Sequence, residues 1–170
     1  MVSSLVLRPN TTVVATVRSD TTPTDDLKGL PVTEGSKLIV LALSSSSDTS
    51  AASLVASLPT HGITHIDTVV ANAGSGLSFR SVLTTPLSSL RNDFEVNTLG
   101  PVKLFQEISP VLKQSENPKF VLISSALGSI GDMDVAPSLS YGASKAAANY
   151  LLRKVHLEHK EISTLAIHPG

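Results

Sequence analysis

Tyr141 and Lys145, four positions apart in Leu139-Ser140-Tyr141-Gly142-Ala143-Ser144-Lys145, supply the parts of a proton-transfer site. A phenol is a poor acid at neutral pH, with a reference pKa of about 10. An ammonium one helical turn away stabilises the phenolate and draws that pKa toward the working range. Residues i and i+4 share a helix face, so the spacing predicts both groups at one mouth. The Ser pair in Phe120-Val121-Leu122-Ile123-Ser124-Ser125 closes a β-rich run upstream. A hydroxyl there could hold a substrate oxygen beside the phenol, as reduction of a carbonyl or oxidation of an alcohol requires.

Tyr150 and Lys154 repeat the same spacing, so spacing alone does not select the site. At 3.6 residues per turn, the nine positions from Tyr141 to Tyr150 rotate a side chain by roughly half a circle. Tyr141 stands beside Ser140, Gly142 and Ala143, small residues that let a cofactor approach the backbone, whereas Tyr150 adjoins Leu151 and Leu152. Tyr141 is therefore the expected acid, and Tyr150 is expected in packing or at an interface.

The elements that must position these groups alternate. Runs at Thr12–Arg18, Lys37–Leu43, Ile66–Ala71, Lys119–Ile123 and Ile162–Ile167 read as strands. Several are apolar throughout, as in a parallel sheet covered on both faces. Helical patterns lie between them at Thr49–Leu58, at Pro86–Gln114 with a break near Gly100-Pro101, and at Ser140–His159. The pattern predicts an α/β, Rossmann-like doubly wound parallel sheet, and the 170 residues form one domain. Ligands bind such folds at strand ends, where Asn72-Ala73-Gly74-Ser75-Gly76 offers close backbone approach. Asn97 interrupts an apolar helical stretch, where asparagine is disfavoured, so it either faces solvent, the expectation when read alone, or has a buried partner.

Composition narrows the function classes. A net charge of -1 gives no electrostatic reason to bind nucleic acid or an anionic membrane. The absence of cysteine excludes disulfides, zinc–thiolate centres and a Cys nucleophile. The five histidines find no carboxylate or thiol that completes a ligand set, so no metal is expected. No apolar run approaches the ~20 residues of a membrane span. Met1–Pro9 is too short and too polar for a secretory signal. A cytoplasmic protein is expected.

Asn72-Ala73-Gly74, Asn97, Ser124-Ser125, Tyr141-x-x-x-Lys145 and His168-Pro169-Gly170 occur in the order and spacing of the short-chain dehydrogenase/reductases. The chain resembles that family over nearly its whole length. Val96-Asn97-Thr98-Leu99-Gly100-Pro101 and Tyr141-Gly142-Ala143-Ser144-Lys145 are most similar to the sniffer-type carbonyl reductases and the fungal norsolorinic acid ketoreductases. The resemblance implies NADP-dependent reduction of a small-molecule ketone, such as an aromatic polyketide intermediate of fungal secondary metabolism. In it, Tyr141 is the general acid and, with Asn97 and Lys145, also belongs to the cofactor site. Lys145 lowers the Tyr141 pKa and holds the nicotinamide ribose, Ser125 polarises the carbonyl, and Asn97 holds a relay water. Asn72, Ala73 and Gly74 line the cofactor near the adenosine ribose. Arg18 stands where a cation meets a 2′-phosphate, which favours NADP over NAD. Subunits of a homodimer or homotetramer would pair through the 86–114 and 140–159 helices.

The resemblance also implies segments that residues 1–170 do not contain. These are a first strand with its Thr-Gly-x-x-x-Gly-x-Gly phosphate loop, and a specificity loop with a last strand after Pro169-Gly170. The expectation is an incomplete NAD(P)-binding domain whose first residues, Val2 to Pro9, end a helix. The strands at 12–18 and 66–71 would then either carry unpaired backbone edges or pair with each other. Two readings stay open at this point: an NADP-dependent ketoreductase, or a non-catalytic relative or fragment without cofactor binding that acts through helix association.

Overall fold

The computed structural model describes residues 1–76, 78–134 and 137–170. A short helix α1 (Val2–Leu5) leads into β1 (Thr12–Val17), and α2 (Asp25–Lys28) into β2 (Lys37–Ala42). Helix α3 (Ser50–Ser57) and a 3₁₀ turn (Leu58–His61) precede β3 (Thr68–Ala71). Then come α4 (Leu87–Phe94), a π turn (Glu95–Leu99), α5 (Gly100–Leu112) and β4 (Lys119–Ile123). A 3₁₀ turn (Ala126–Gly128), the long α6 (Leu139–Glu158) and β5 (Ser163–Ile167) complete the order.

All five expected strands form, each within two residues of its expected bounds, and every pairing is parallel. They divide into two sheets. β1 pairs with β2 in the register Thr12↔Lys37 to Val17↔Ala42. β4 stands between β3 and β5, with Thr68↔Lys119 and Lys119↔Ser163 in register. Among the described residues no ladder joins β1 to β3. Of the two outcomes open from the sequence, the unpaired edges are the one observed. The C-terminal ends of both strands instead line a shared cleft.

One apolar cluster holds the second sheet to its helices. α5 contributes Phe105, Ile108 and Leu112, and α6 contributes Ala148, Leu152 and Val155. Both sets follow the three- and four-residue spacing of a single helix face. They close on Phe120 and Leu122 of β4 and Val69 and Ala71 of β3. Phe105 meets Phe120 edge to face at 5.1 Å. Phe120, Ile108 and Leu112 have no or almost no exposed surface. Each contributes about 1.5–3 kcal/mol by burial.

The helix expected over 86–114 is two helices joined by the π turn, and Pro101 sits in the first turn of the second. Proline is accommodated there because the π turn, with the Gly100 N–H bonded to the Glu95 carbonyl, has already shifted the helical ladder where the proline N–H is missing. A π turn rotates everything after it relative to a regular helix, and such turns gather at functional sites. Asn97 lies in it and is buried.

Candidate active site

Ser138 fixes the start of α6. Its hydroxyl accepts the Tyr141 N–H at 3.3 Å and donates to the Ser78 carbonyl at 2.6 Å. This N-cap satisfies a helix-end donor and also ties the 78 loop to the Tyr141 turn. Tyr141 is half-buried. One turn on, Lys145 is only 3% exposed, and its Nζ lies 5.6 Å from the Tyr141 ring centroid. The amine donates to the Ile123 carbonyl at the end of β4, at 2.7 Å. The helical spacing thus brings phenol, ammonium and strand end together, as the sequence predicts.

Burial pushes the Lys145 ammonium below the ordinary lysine value. In the window between the lowered and the ordinary value the unfolded chain binds more protons than the folded one. Stability attributable to this group therefore rises with pH across that window. Urea midpoints measured toward alkaline pH are expected to show this rise in the native chain and a flatter profile in Lys145→Met. Equal profiles would count against a desolvated ammonium.

The two serines after β4 divide their work. Ser124 is buried and donates to Asn149 Oδ1 at 2.6 Å, while Asn149 donates to the Gly128 carbonyl at 3.1 Å. Ser124 is thus a strut between β4, the 126–128 turn and α6. Ser125 is half-buried, and its hydroxyl accepts the Leu127 N–H at 3.2 Å, which leaves its own proton available to donate.

Asn97 corrects the expectation of a solvent-facing side chain, since it is 0% exposed. Its Oδ1 accepts the Ser75 N–H at 2.8 Å. Its Nδ2 donates to the Ser75 carbonyl at 2.7 Å and to Ser144 Oγ at 2.8 Å. Ser144 in turn donates to the Tyr141 carbonyl at 2.7 Å. Three polar partner groups on two segments, the strap after β3 and α6, offset the loss of water. With both amide hydrogens used, Oδ1 keeps one lone pair free for a water.

The strap after β3 therefore lies under α4 and α6. A Cβ at Gly74 would stand 3.5 Å from Asn97 Oδ1 and 3.8 Å from Lys145 Nζ. A Cβ at Gly76 would stand 2.1 Å from Cδ2 of Tyr141, far inside contact distance. Glycine is the residue that lets backbone rest on that ring.

On the other side of the strap opens a cleft of about 530 Å³. Arg18, Asn72, Ala73 and Gly74 all line it, with Ser44 to Ser47 facing them from the end of β2. Tyr141, Lys145, Asn97 and Ser125 are not among its lining residues, and Gly74 joins the two halves. The donor set suits a phosphorylated dinucleotide: a guanidinium, four hydroxyls and open backbone at one end, an ammonium at the other. Lys103 borders the cleft between Asp48, at 2.7 Å, and Glu95. Its hydrogen bond holds the Asp48 carboxyl below the usual range.

Tyr150 is 76% exposed, which corrects its reading as packing and leaves a surface position. Lys154 pairs with Glu158, not with the phenol face of Tyr141. Sequence reading missed Ser75, Asn92, Asp93, Ser138, Ser144 and Asn149. Only Ser138 carried a local signal, a serine three residues before Tyr141 at a helix start.

The sequence profile of the family described as short chain dehydrogenase matches residues 2–170. The norsolorinic acid ketoreductase of Aspergillus parasiticus is 42% identical over 175 residues, which are 100% of this chain and 65% of that protein. The chain thus spans just under two thirds of that relative's length. The short chain dehydrogenase gsfK of Penicillium aethiopicum is 40% identical over 174 residues, 100% of this chain and 69% of that protein. Among solved structures, the NADPH-bound carbonyl reductase from chicken fatty liver superposes with a TM-score of 0.82 at 26% identity, over 92% of this chain and 67% of that one. The carbonyl reductase Sniffer of Caenorhabditis elegans gives 0.82 at 23% identity, over 95% of this chain and 85% of that one, a likeness of fold.

Proposed function

Because this chain belongs to the short-chain dehydrogenase family, we propose that its site reduces a ketone to an alcohol with NADPH, Tyr141 acting as general acid. The observation that carries the reading is the half-buried Tyr141 phenol beside the buried Lys145 amine, at the strand end that holds Ser125. An oxidoreductase needs a bound nicotinamide here, since it supplies the hydride that no side chain can. Arg18 and the Asn72–Gly74 backbone would hold its adenosine end, and Lys145 its nicotinamide ribose.

The chain's own residues handle the oxygen and its proton. Ser125 donates a hydrogen bond to the carbonyl oxygen and orients it. As the carbon gains hydride, the oxygen gains negative charge and takes the Tyr141 proton. The Lys145 ammonium stabilises the phenolate left behind, and a water on the free lone pair of Asn97 Oδ1 returns the proton from solvent.

The Aspergillus relative's name supports an aromatic polyketide ketone as substrate class. The NADPH in the chicken neighbour, together with Arg18, supports NADP over NAD. A cytosolic enzyme would draw on that compartment's NADPH. No helix among the described residues is long and apolar enough to cross a membrane. The exposed Tyr150 and Leu157 support subunit pairing through α6.

Titration of the 170-residue chain with NADPH and NADH, followed by nicotinamide fluorescence, tests the cofactor. Saturable binding with NADPH preferred is expected, and Arg18→Glu should erase the preference. Equal affinities, or no binding by a folded sample, would overturn the reading.

A further inference from the structure

Ser75 is gripped at three of its groups. Asn97 holds its backbone N–H and carbonyl, but the hydroxyl is held separately, by α4. Ser75 Oγ donates to Asp93 Oδ1 at 2.9 Å and accepts from Asn92 Nδ2 at 2.7 Å. The donor direction is fixed, because the Asn92 amide can only donate. Asp93 is 3% exposed, and its other oxygen, Oδ2, meets no hydrogen-bond partner among the described residues.

A buried carboxyl with one orphaned oxygen is a poor choice for stability, since an unsatisfied buried polar atom is costly. An aliphatic side chain would serve α4 better if packing were the only demand. Asp93 Oδ1 takes the Ser75 hydroxyl and, more distantly at 3.4 Å, the neighbouring Asn92 amide, and the residue after Ser75 is Gly76, whose α-carbon rests on the Tyr141 ring. The chain of contacts runs from α4 through one hydroxyl to the phenol.

We propose that Asp93 is a positioning residue that acts through the Ser75 hydroxyl to fix the 72–76 strap and so the seat of the Tyr141 ring. Asn92 completes the hydroxyl's orientation. Any effect on turnover rests on the reduction proposed above; the seating of the ring does not.

The composition supplies a direct readout. The chain has two tyrosines and no tryptophan, so Tyr150→Phe leaves Tyr141 as the only phenol. Its near-ultraviolet circular dichroism then reports how rigidly that ring is held, without any cofactor. In this background Asp93→Ala and Ser75→Ala are each expected to lose most of the tyrosine band while far-ultraviolet dichroism stays native. The double variant should lose no more than either single one, because both cut the same link. Asp93→Asn, which keeps an oxygen at the accepting position, should retain the band. With turnover as the readout, the same substitutions should lower kcat, and, because the strap also borders the cofactor cleft, raise the KM for NADPH by a smaller factor.

An intact band in Asp93→Ala, additive losses in the double variant, or a lost band in Asp93→Asn would overturn the proposal. Should Asp93→Ala fail to fold, Ser75→Ala in the strap decides alone. Absent NADPH binding with the band pattern as expected would sink the ketoreductase reading and leave the positioning role standing.

Discussion

Tyr141→Phe is expected to abolish carbonyl reduction, with kcat lower by about 10²–10⁴-fold, the span that a positioned general acid contributes. The loss should fall on turnover alone. The hydrogen bonds of residue 141 run from its backbone, to Ser138 Oγ and from Ser144 Oγ, and phenylalanine keeps both. The ring that meets the Gly76 backbone is also retained. Melting temperature and NADPH affinity should therefore stay near those of the native chain. Steady-state kinetics beside a thermal melt check the split. Retained turnover would remove Tyr141 from the chemistry, and a collapsed melt would make it a structural residue.

Gly76→Ala is the second large effect, and it comes from space. The new methyl would stand 2.1 Å from Cδ2, 2.7 Å from Cγ and 2.9 Å from Cε2 of Tyr141. Turning the ring about Cβ–Cγ leaves Cγ where it is, so either the strap lifts or the whole Tyr141 side chain swings about Cα–Cβ. A displacement of about 1 Å in a reacting group costs on the order of 10²-fold in rate. The overpacking itself should cost about 1–3 kcal/mol of stability. Gly131→Ala is the matched control, because a Cβ there meets nothing within 4 Å. Kinetics and urea unfolding of the two variants should separate cleanly. Equal behaviour would mean that the strap does not constrain the phenol.

The parts of the site that were legible in the sequence are those set by local periodicity. Four residues of helix place Lys145 under Tyr141 whatever the surroundings, and an apolar run ending in Ser124-Ser125 marks the end of β4. β4 formed at the expected residues because its burial alternates along a strand covered by α5 and α6. The four-residue helix α2 escaped notice, since so short a segment presents no periodic face.

Asn97 shows the limit of that method. Its exposure was inferred from the cost of an asparagine inside a helix, but the π turn at Glu95–Leu99 places it in the interior, where Ser75 and Ser144 satisfy its amide. Its partners, Ser75 and Ser144, lie 22 and 47 residues away in sequence. The Asp93 contact to Ser75 spans 18 residues. No local pattern encodes pairings of that kind, because they arise only when the strap after β3 is laid across the helices. For Tyr150 the leucine neighbours left packing or an interface open, and its exposure on α6, with Lys154 paired to Glu158, removes only the packing.

Transfer of label is the measurement to make on the whole site. The chain would be incubated with an aromatic ketone and NADPH carrying deuterium at the transferable position of the nicotinamide, and the alcohol analysed by mass spectrometry. The prediction is an alcohol with deuterium on the former carbonyl carbon, formed by the native chain and not by Tyr141→Phe. An alcohol without deuterium, equal yield from Tyr141→Phe, or no alcohol from a folded chain saturated with NADPH would contradict a hydride-transfer site built around Tyr141 and Lys145.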